Sequence, residues 1–205
     1  QPCSIMCGWG GAGAFSDGKL TLTAEFGGWL ADYIGRAKLT ELIAYVDQIY
    51  VDFGAPERLF GQLDEDFGSL QARVVKAGLK LIPARIRHMG SENTQKVLAN
   101  MHKELNRQVT IRTGEKVEEV IIENGRAAGV KTKRLEYRAP YVILAPGRDG
   151  AQWFSEQAGH LGLPLKNNQI DLGVRVEVPA LIMQEFTDKI WEPKILFNSP
   201  TFDDQ

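Results

Sequence analysis

Gly8, Gly10, Gly11, Gly13 and Gly18 fall in one short stretch, with Phe15, Ser16, Asp17 and Lys19 among them. Because glycine has no Cβ, such a loop lets many backbone N–H groups point at a ligand. It can then cradle an anion or a flat polar ring in a backbone nest. The plainer reading is a tight turn between packed elements. Five glycines are more than a turn needs, since each adds an ordering cost to the fold. The stretch also matches the G-x-x-x-x-G-K skeleton of a triphosphate-binding loop, from Gly13 to Lys19. Leu20 stands where that loop needs a Mg²⁺-holding hydroxyl, and Thr21, Thr23 and the Gly27-Gly28 pair argue against a helix opening at the lysine. The chain therefore does not read as a nucleoside-triphosphatase.

A second place where chemistry could gather is the apolar run at residues 141–145, Tyr-Val-Ile-Leu-Ala, which stops at Pro146-Gly147. Five apolar positions in a row are too short for a helix. They predict a strand buried on both faces, of the kind found in parallel sheets. Ligands of open α/β sheets collect beyond the carboxyl ends of such strands.

Among the three histidines, His88 is the best proton donor or substrate contact, set against a capping or solvated role. His102 falls opposite the apolar face of its helical pattern, and His160 at a helix C-terminus favoured by the dipole. Asp17 and Lys19 suit acid–base work or a mutual surface ion pair. Arg85 and Arg87 suit an anionic ligand or a solvated basic edge, and Asp149 suits an N-cap. Cys3 and Cys7 make no disulfide framework or zinc spacing. They read as small reduced core residues, with Cys7 lining a ligand site as the alternative.

Around these residues the periodicity supplies a scaffold. A short strand is expected within residues 21–26, and helices at 29–34, 38–53 and 69–77, the last stopped by Gly78. A strand at 79–82 leads to a helix from Ser91 to about residue 105. Strands follow at 108–112, 116–123 and 127–133. Asn124-Gly125 marks a type I′ hairpin because both central positions want positive φ. Helices are expected at 150–158 and 179–190, with a new strand at 172–178.

Composition narrows the class. The 205 residues are 43% hydrophobic and 24% charged, as in a globular protein able to bury a core. The net charge of −2 gives no reason to expect nucleic acid or an anionic membrane as partner. No apolar stretch nears the roughly 20 residues of a membrane span. A reducing, cytoplasmic setting is expected. The chain begins on Gln and ends without a helix stop, which suggests an excerpt of a longer polypeptide.

Three segments together carry a resemblance. Residues 10–20, Gly-Gly-Ala-Gly-Ala-Phe-Ser-Asp-Gly-Lys-Leu, resemble the GGAG-x-FSDGKL signature of a family of uncharacterised FAD-dependent dehydrogenases. That family is related to flavoproteins with a glutathione-reductase-like FAD domain. Residues 145–150, Ala-Pro-Gly-Arg-Asp-Gly, resemble its turn after the β-meander. The run from Asn167 to Pro179 resembles its N-x-x-D-x-G-V-R-V-E sequence.

The resemblance implies an α/β fold. A partial Rossmann-like FAD/NAD(P)-binding domain would occupy residues 1–165, with a helical excursion at 28–78 and a three-stranded β-meander plus buried strand at 108–147. Residues 166–205 would begin a second, α+β substrate domain. It implies FAD as cofactor, NAD(P)H as an electron donor and a small-molecule substrate. Gly10, Gly11, Ala12, Gly13, Phe15, Ser16, Asp17, Gly18 and Lys19 would lie against the flavin and its pyrophosphate. Val117, after the first hairpin of the meander, would offer main-chain bonds to adenine, and Pro146 and Gly147 would pack near the cofactor. His88 falls in a His-x-Gly element of the family. The G-x-G-x-x-G dinucleotide fingerprint is missing from these residues, so the segment alone is expected to bind FAD poorly. No nucleophile–base pair or metal constellation stands out, as suits an enzyme whose flavin carries the electrons. The rival class is a non-catalytic nucleotide- or ligand-binding module on the same fold.

Overall fold

The computed structural model describes residues 7–167, 170 and 172–201. In chain order the elements are a 3₁₀ turn (Gly11–Phe15), β1 (Lys19–Leu22), α1 (Leu30–Ile34), α2 (Arg36–Asp52) and α3 (Glu65–Lys76). Then come β2 (Lys80–Ile82), β3 (Arg85–His88), α4 (Ser91–Leu105), β4 (Val117–Glu123), β5 (Arg126–Thr132) and β6 (Glu136–Arg138). The last are α5 (Ala151–His160), α6 (Ala180–Ile190) and β7 (Lys194–Leu196). The protein is mixed α/β, with small sheets in which every strand pairing among the described residues is antiparallel. It divides into two compact units.

One unit holds residues 13–104 with the described residues from 175 onward. α3 starts where Asp64 accepts a hydrogen bond from the Phe67 N–H (2.9 Å), and acidic residues fill its first turn. Both features offset the orphan N–H groups and the helix dipole. Gly78, at φ +74°, ends it as the pattern predicts. Its apolar face, Phe67, Leu70 and Val74, closes a core with Leu81 and Ile190. A second core joins Ala55, Met89 and Val97 to Leu20, Tyr50, Phe53 and Met101. β3 pairs with β1, with Lys19 opposite His88, and β2 pairs with β7, a strand that no sequence signal marked.

The other unit holds residues 7–12 and the described part of 105–174. Its three strands run β4-β5-β6 as a meander. Asn124 (φ +51°) and Gly125 (φ +73°) make the predicted hairpin turn. α5 covers β4 with side chains in place of a further strand. Gln157 accepts from the Val120 N–H (3.0 Å), and the Trp153 indole donates to the Glu118 carbonyl (2.8 Å). Buried Gln157 thus satisfies backbone groups that would otherwise be left unpaired.

Four expectations are corrected. Residues 141–145 form no strand: Tyr141 and Ile143 are 86% and 92% exposed, and no ladder partner lies beside them among the described residues. Residues 172–178 form none either, with Leu172 and Val174 both 89% exposed. An apolar extended run becomes a strand only when a neighbour takes up its backbone groups. Residues 108–112 lie outside the sheet, so the meander's three strands are β4, β5 and β6. Finally, the glycine stretch, read from sequence as a loop, winds into a 3₁₀ turn over residues 11–15. Small side chains tolerate its eclipsed i, i+3 geometry.

Candidate functional site

Val117 lies at the start of β4, opposite Thr132 on β5, so it precedes the meander's first hairpin instead of following it, because residues 108–112 take no place in the sheet. Beside it opens a cavity of about 400 Å³ lined by Thr110, Arg112, Glu115, Val117, Thr132 and Tyr137. The Tyr137 hydroxyl donates to the Glu115 carboxylate (2.9 and 3.0 Å to its two oxygens), and Thr132 Oγ1 lies 2.9 Å from Glu115 Oε1. Thr132 Oγ1 in turn accepts from the backbone N–H groups of Arg134 and Leu135. The Arg112 guanidinium sits 5.3 Å over the Tyr137 ring.

These contacts set the electrostatics. The Tyr137 and Thr132 hydroxyls, with the charges of Arg112 and Arg134, hold Glu115 below its ordinary carboxylate value. Desolvation and the bond to Glu115 push the Tyr137 phenol up. The cavity offers a cation, an ionised carboxylate and an aromatic face around a strand's first residue. Such a set can take a flat ring with polar edges. Sequence reasoning placed only Val117 here. The other lining residues lie on different strands or loops, and only the pairing register brings them together.

In the same unit, Gly147 has φ +65°, and a Cβ built on it would meet nothing within 4 Å. The turn is closed by Gly150, whose added Cβ would strike Pro146. Gly150, not Asp149, is the N-cap of α5, without a side-chain cap. Gly10 and Gly11 also have positive φ (+80° and +54°), and Gly11 faces open space. Gly11 and Gly147 therefore need glycine for backbone conformation while leaving room for a close approach.

The rest of the glycine stretch belongs to the other unit and is largely committed there. Gly13 faces open space and Phe15 is exposed. Ser16 donates to the Gly13 carbonyl and accepts from the Gly18 N–H. Gly18 is buried: a Cβ on it would lie 2.1 Å from Thr94 Oγ1 and 2.9 Å from Met89 Cβ. Its close approach serves packing onto the start of α4. Asp17 and Lys19 do not pair with each other. Lys19 is ion-paired with Glu192, and Asp17 lies 3.7 Å from His88 Nε2. His88 stacks on Trp191, with centroids 4.0 Å apart.

Arg87 is neither a ligand arm nor a solvated edge. It is buried in a bidentate bond to Asp47 (2.6 and 2.8 Å) and also donates to the Pro56 carbonyl. Burying that cation requires the carboxylate of α2 as its partner. Arg85 is exposed, His160 is exposed at the end of α5, and His102 and Cys7 are half-buried. Cys3 lies outside the described residues. Among the described residues no group of three or more His, Cys, Asp or Glu is arranged to hold a metal, and no helix is long and apolar enough to cross a membrane. The chain matches no family model, no curated protein and no solved structure.

Proposed function

We propose that this chain belongs to an FAD-dependent oxidoreductase with a Rossmann-like FAD domain, acting on a small organic substrate with NAD(P)H as electron donor. The observation that carries the reading is the cavity at Val117. It opens beside Val117, the residue the resemblance assigns to adenine, and its lining offers a purine an aromatic ring, a guanidinium and a carboxylate. Gly11 and Gly147 add backbone that a ligand can approach closely, which is the fit expected of residues that border a flavin nucleotide.

On this reading Val117 and the cavity residues take the adenine end. Gly10, Gly11, Ala12, Pro146 and Gly147, all of the same unit, border the rest of the cofactor. Ser16, Asp17, Gly18 and Lys19 shape the loop through contacts within the chain. When bound, FAD supplies the two-electron acceptor. The protein's part is to hold it, orient the substrate and keep water out.

The absorbance spectrum of the complete translated polypeptide tests this. The reading predicts a yellow protein whose flavin bands bleach under NADH, NADPH or a substrate. A protein that stays colourless after reconstitution with FAD ends the flavin reading. One that binds FAD but is reduced by no donor is the non-catalytic binding module.

A further inference from the structure

Trp191 is a backbone outlier among the described residues. It has φ +67° and ψ −57°, and the Glu192 N–H donates to the Ile190 carbonyl at 2.9 Å across it. That is a γ-turn of the rare, strained hand, occupied by the bulkiest side chain where a helix end ordinarily takes glycine. Such strain persists only where the surroundings over-determine it, and it concentrates at functional sites.

What holds Trp191 is a set of contacts that reads as a binding site. Its indole lies 4.0 Å from the His88 ring and 5.0 Å from the Phe60 ring, centroid to centroid. The next residue, Glu192, places its carboxylate on the Lys19 ammonium. Lys19 and His88 are register partners across β1 and β3, so one sheet position presents a ring wall and a cation side by side, with the Asp17 carboxylate 3.7 Å from the far nitrogen of that ring, His88 Nε2. Phe60 and Arg58 continue the wall into a neighbouring cavity of about 230 Å³, with the Arg58 guanidinium 4.4 Å over the Phe60 ring.

We infer that Trp191 and Glu192 fill, from within the chain, a site for a planar aromatic carboxylate. The ligand's ring takes the place of the indole against His88 and Phe60, and its carboxylate takes the place of Glu192 on Lys19. Displacement is eased because Trp191 relaxes out of its γ-turn when it leaves. The strain thus works as a built-in release, and the self-occupied form is the resting state of the site. All of these contacts lie within one unit, and the site does not depend on flavin binding elsewhere in the protein.

Indole-3-acetate is the probe, with tryptamine as the same ring bearing the opposite charge, each titrated into the 205-residue chain by calorimetry. Trp191→Gly removes the plug and suits the positive φ, so it should bind indole-3-acetate about tenfold more tightly than the parent. Glu192→Gln keeps the indole and the backbone but frees Lys19, and should tighten binding several-fold. Adding Lys19→Gln to either variant should abolish the gain, and tryptamine should show none. If Trp191→Gly fails to fold, as judged by its circular dichroism, Glu192→Gln carries the test alone. The inference is overturned if Glu192→Gln does not tighten binding, if the gain survives Lys19→Gln, or if tryptamine gains equally.

Discussion

Gly129 in the meander and Gly147 in the turn after it are both glycines of one unit, yet they answer to different constraints. A Cβ on Gly129 would lie 2.0 Å from the Tyr137 carbonyl oxygen, inside the sheet, beside the register shift between Ile121 and Ile122. A Cβ on Gly147 would meet nothing within 4 Å, and only its φ of +65° excludes other residues. The first glycine is consumed by the fold, while the second leaves backbone within reach of a ligand. A glycine in a sequence motif therefore becomes a candidate contact only after packing has been subtracted. Gly18, which fits a nucleotide-loop pattern, falls on the packed side.

That contrast can be broken by substitution. Gly129→Ala should cost about 3 kcal/mol in denaturant unfolding, because backbone must move to admit the methyl group. Gly18→Ala should cost about 2 kcal/mol, combining the approach to Thr94 and Met89 with a φ of +70°. Gly147→Ala meets only the left-handed backbone penalty, about 1 kcal/mol. In the complete polypeptide, Gly147→Val should lower FAD occupancy more than its stability loss explains. Gly13→Ala should stay within about 0.5 kcal/mol of the parent. A cost at Gly13 as large as at Gly18 would erase the distinction.

The cavity adds a smaller, pH-dependent effect. Glu115 has its folded value depressed below its ordinary 4.5, so its contribution is full above that value and is lost as pH falls through the lowered one. Tyr137 is raised, so its contribution is full below the ordinary 10.0 and fades as pH climbs through the raised value. Glu115→Gln should flatten the acid limb of a melting-temperature profile below the ordinary carboxylate value of 4.5, where the depressed group gains its proton. An unchanged acid limb would show that Glu115 does not report on this network.

The helices were legible in the sequence because their evidence is local. α2 and α3 show an apolar period and a glycine stop, and the Asn124-Gly125 hairpin requires only its own two residues. Pairing is not local. Residues 141–145 and 172–178 have strand composition, but nothing in their own side chains says whether a neighbour takes up their backbone. β7 was missed for the converse reason: Lys194–Leu196 is an unremarkable tripeptide that becomes a strand by pairing with β2. In the candidate site, Val117 was reachable through the resemblance, whereas Arg112, Glu115, Thr132 and Tyr137 meet only once β4, β5 and β6 are in register. Arg87 misled because a charged residue in a strand looks solvated until Asp47, forty positions earlier, is found beside it.

Open backbone and the Val117 cavity, rather than the packed glycines, are what should receive a nucleotide. An amide correlation spectrum of the ¹⁵N-labelled chain, titrated with ADP, tests it most directly, since weak binding suffices for shifts to appear. Shifts are expected at Gly11, Val117 and Gly147, with Glu115 and Thr132 following and Gly129 and Gly18 still. Shifts confined to other residues, or none at millimolar ADP, would contradict it.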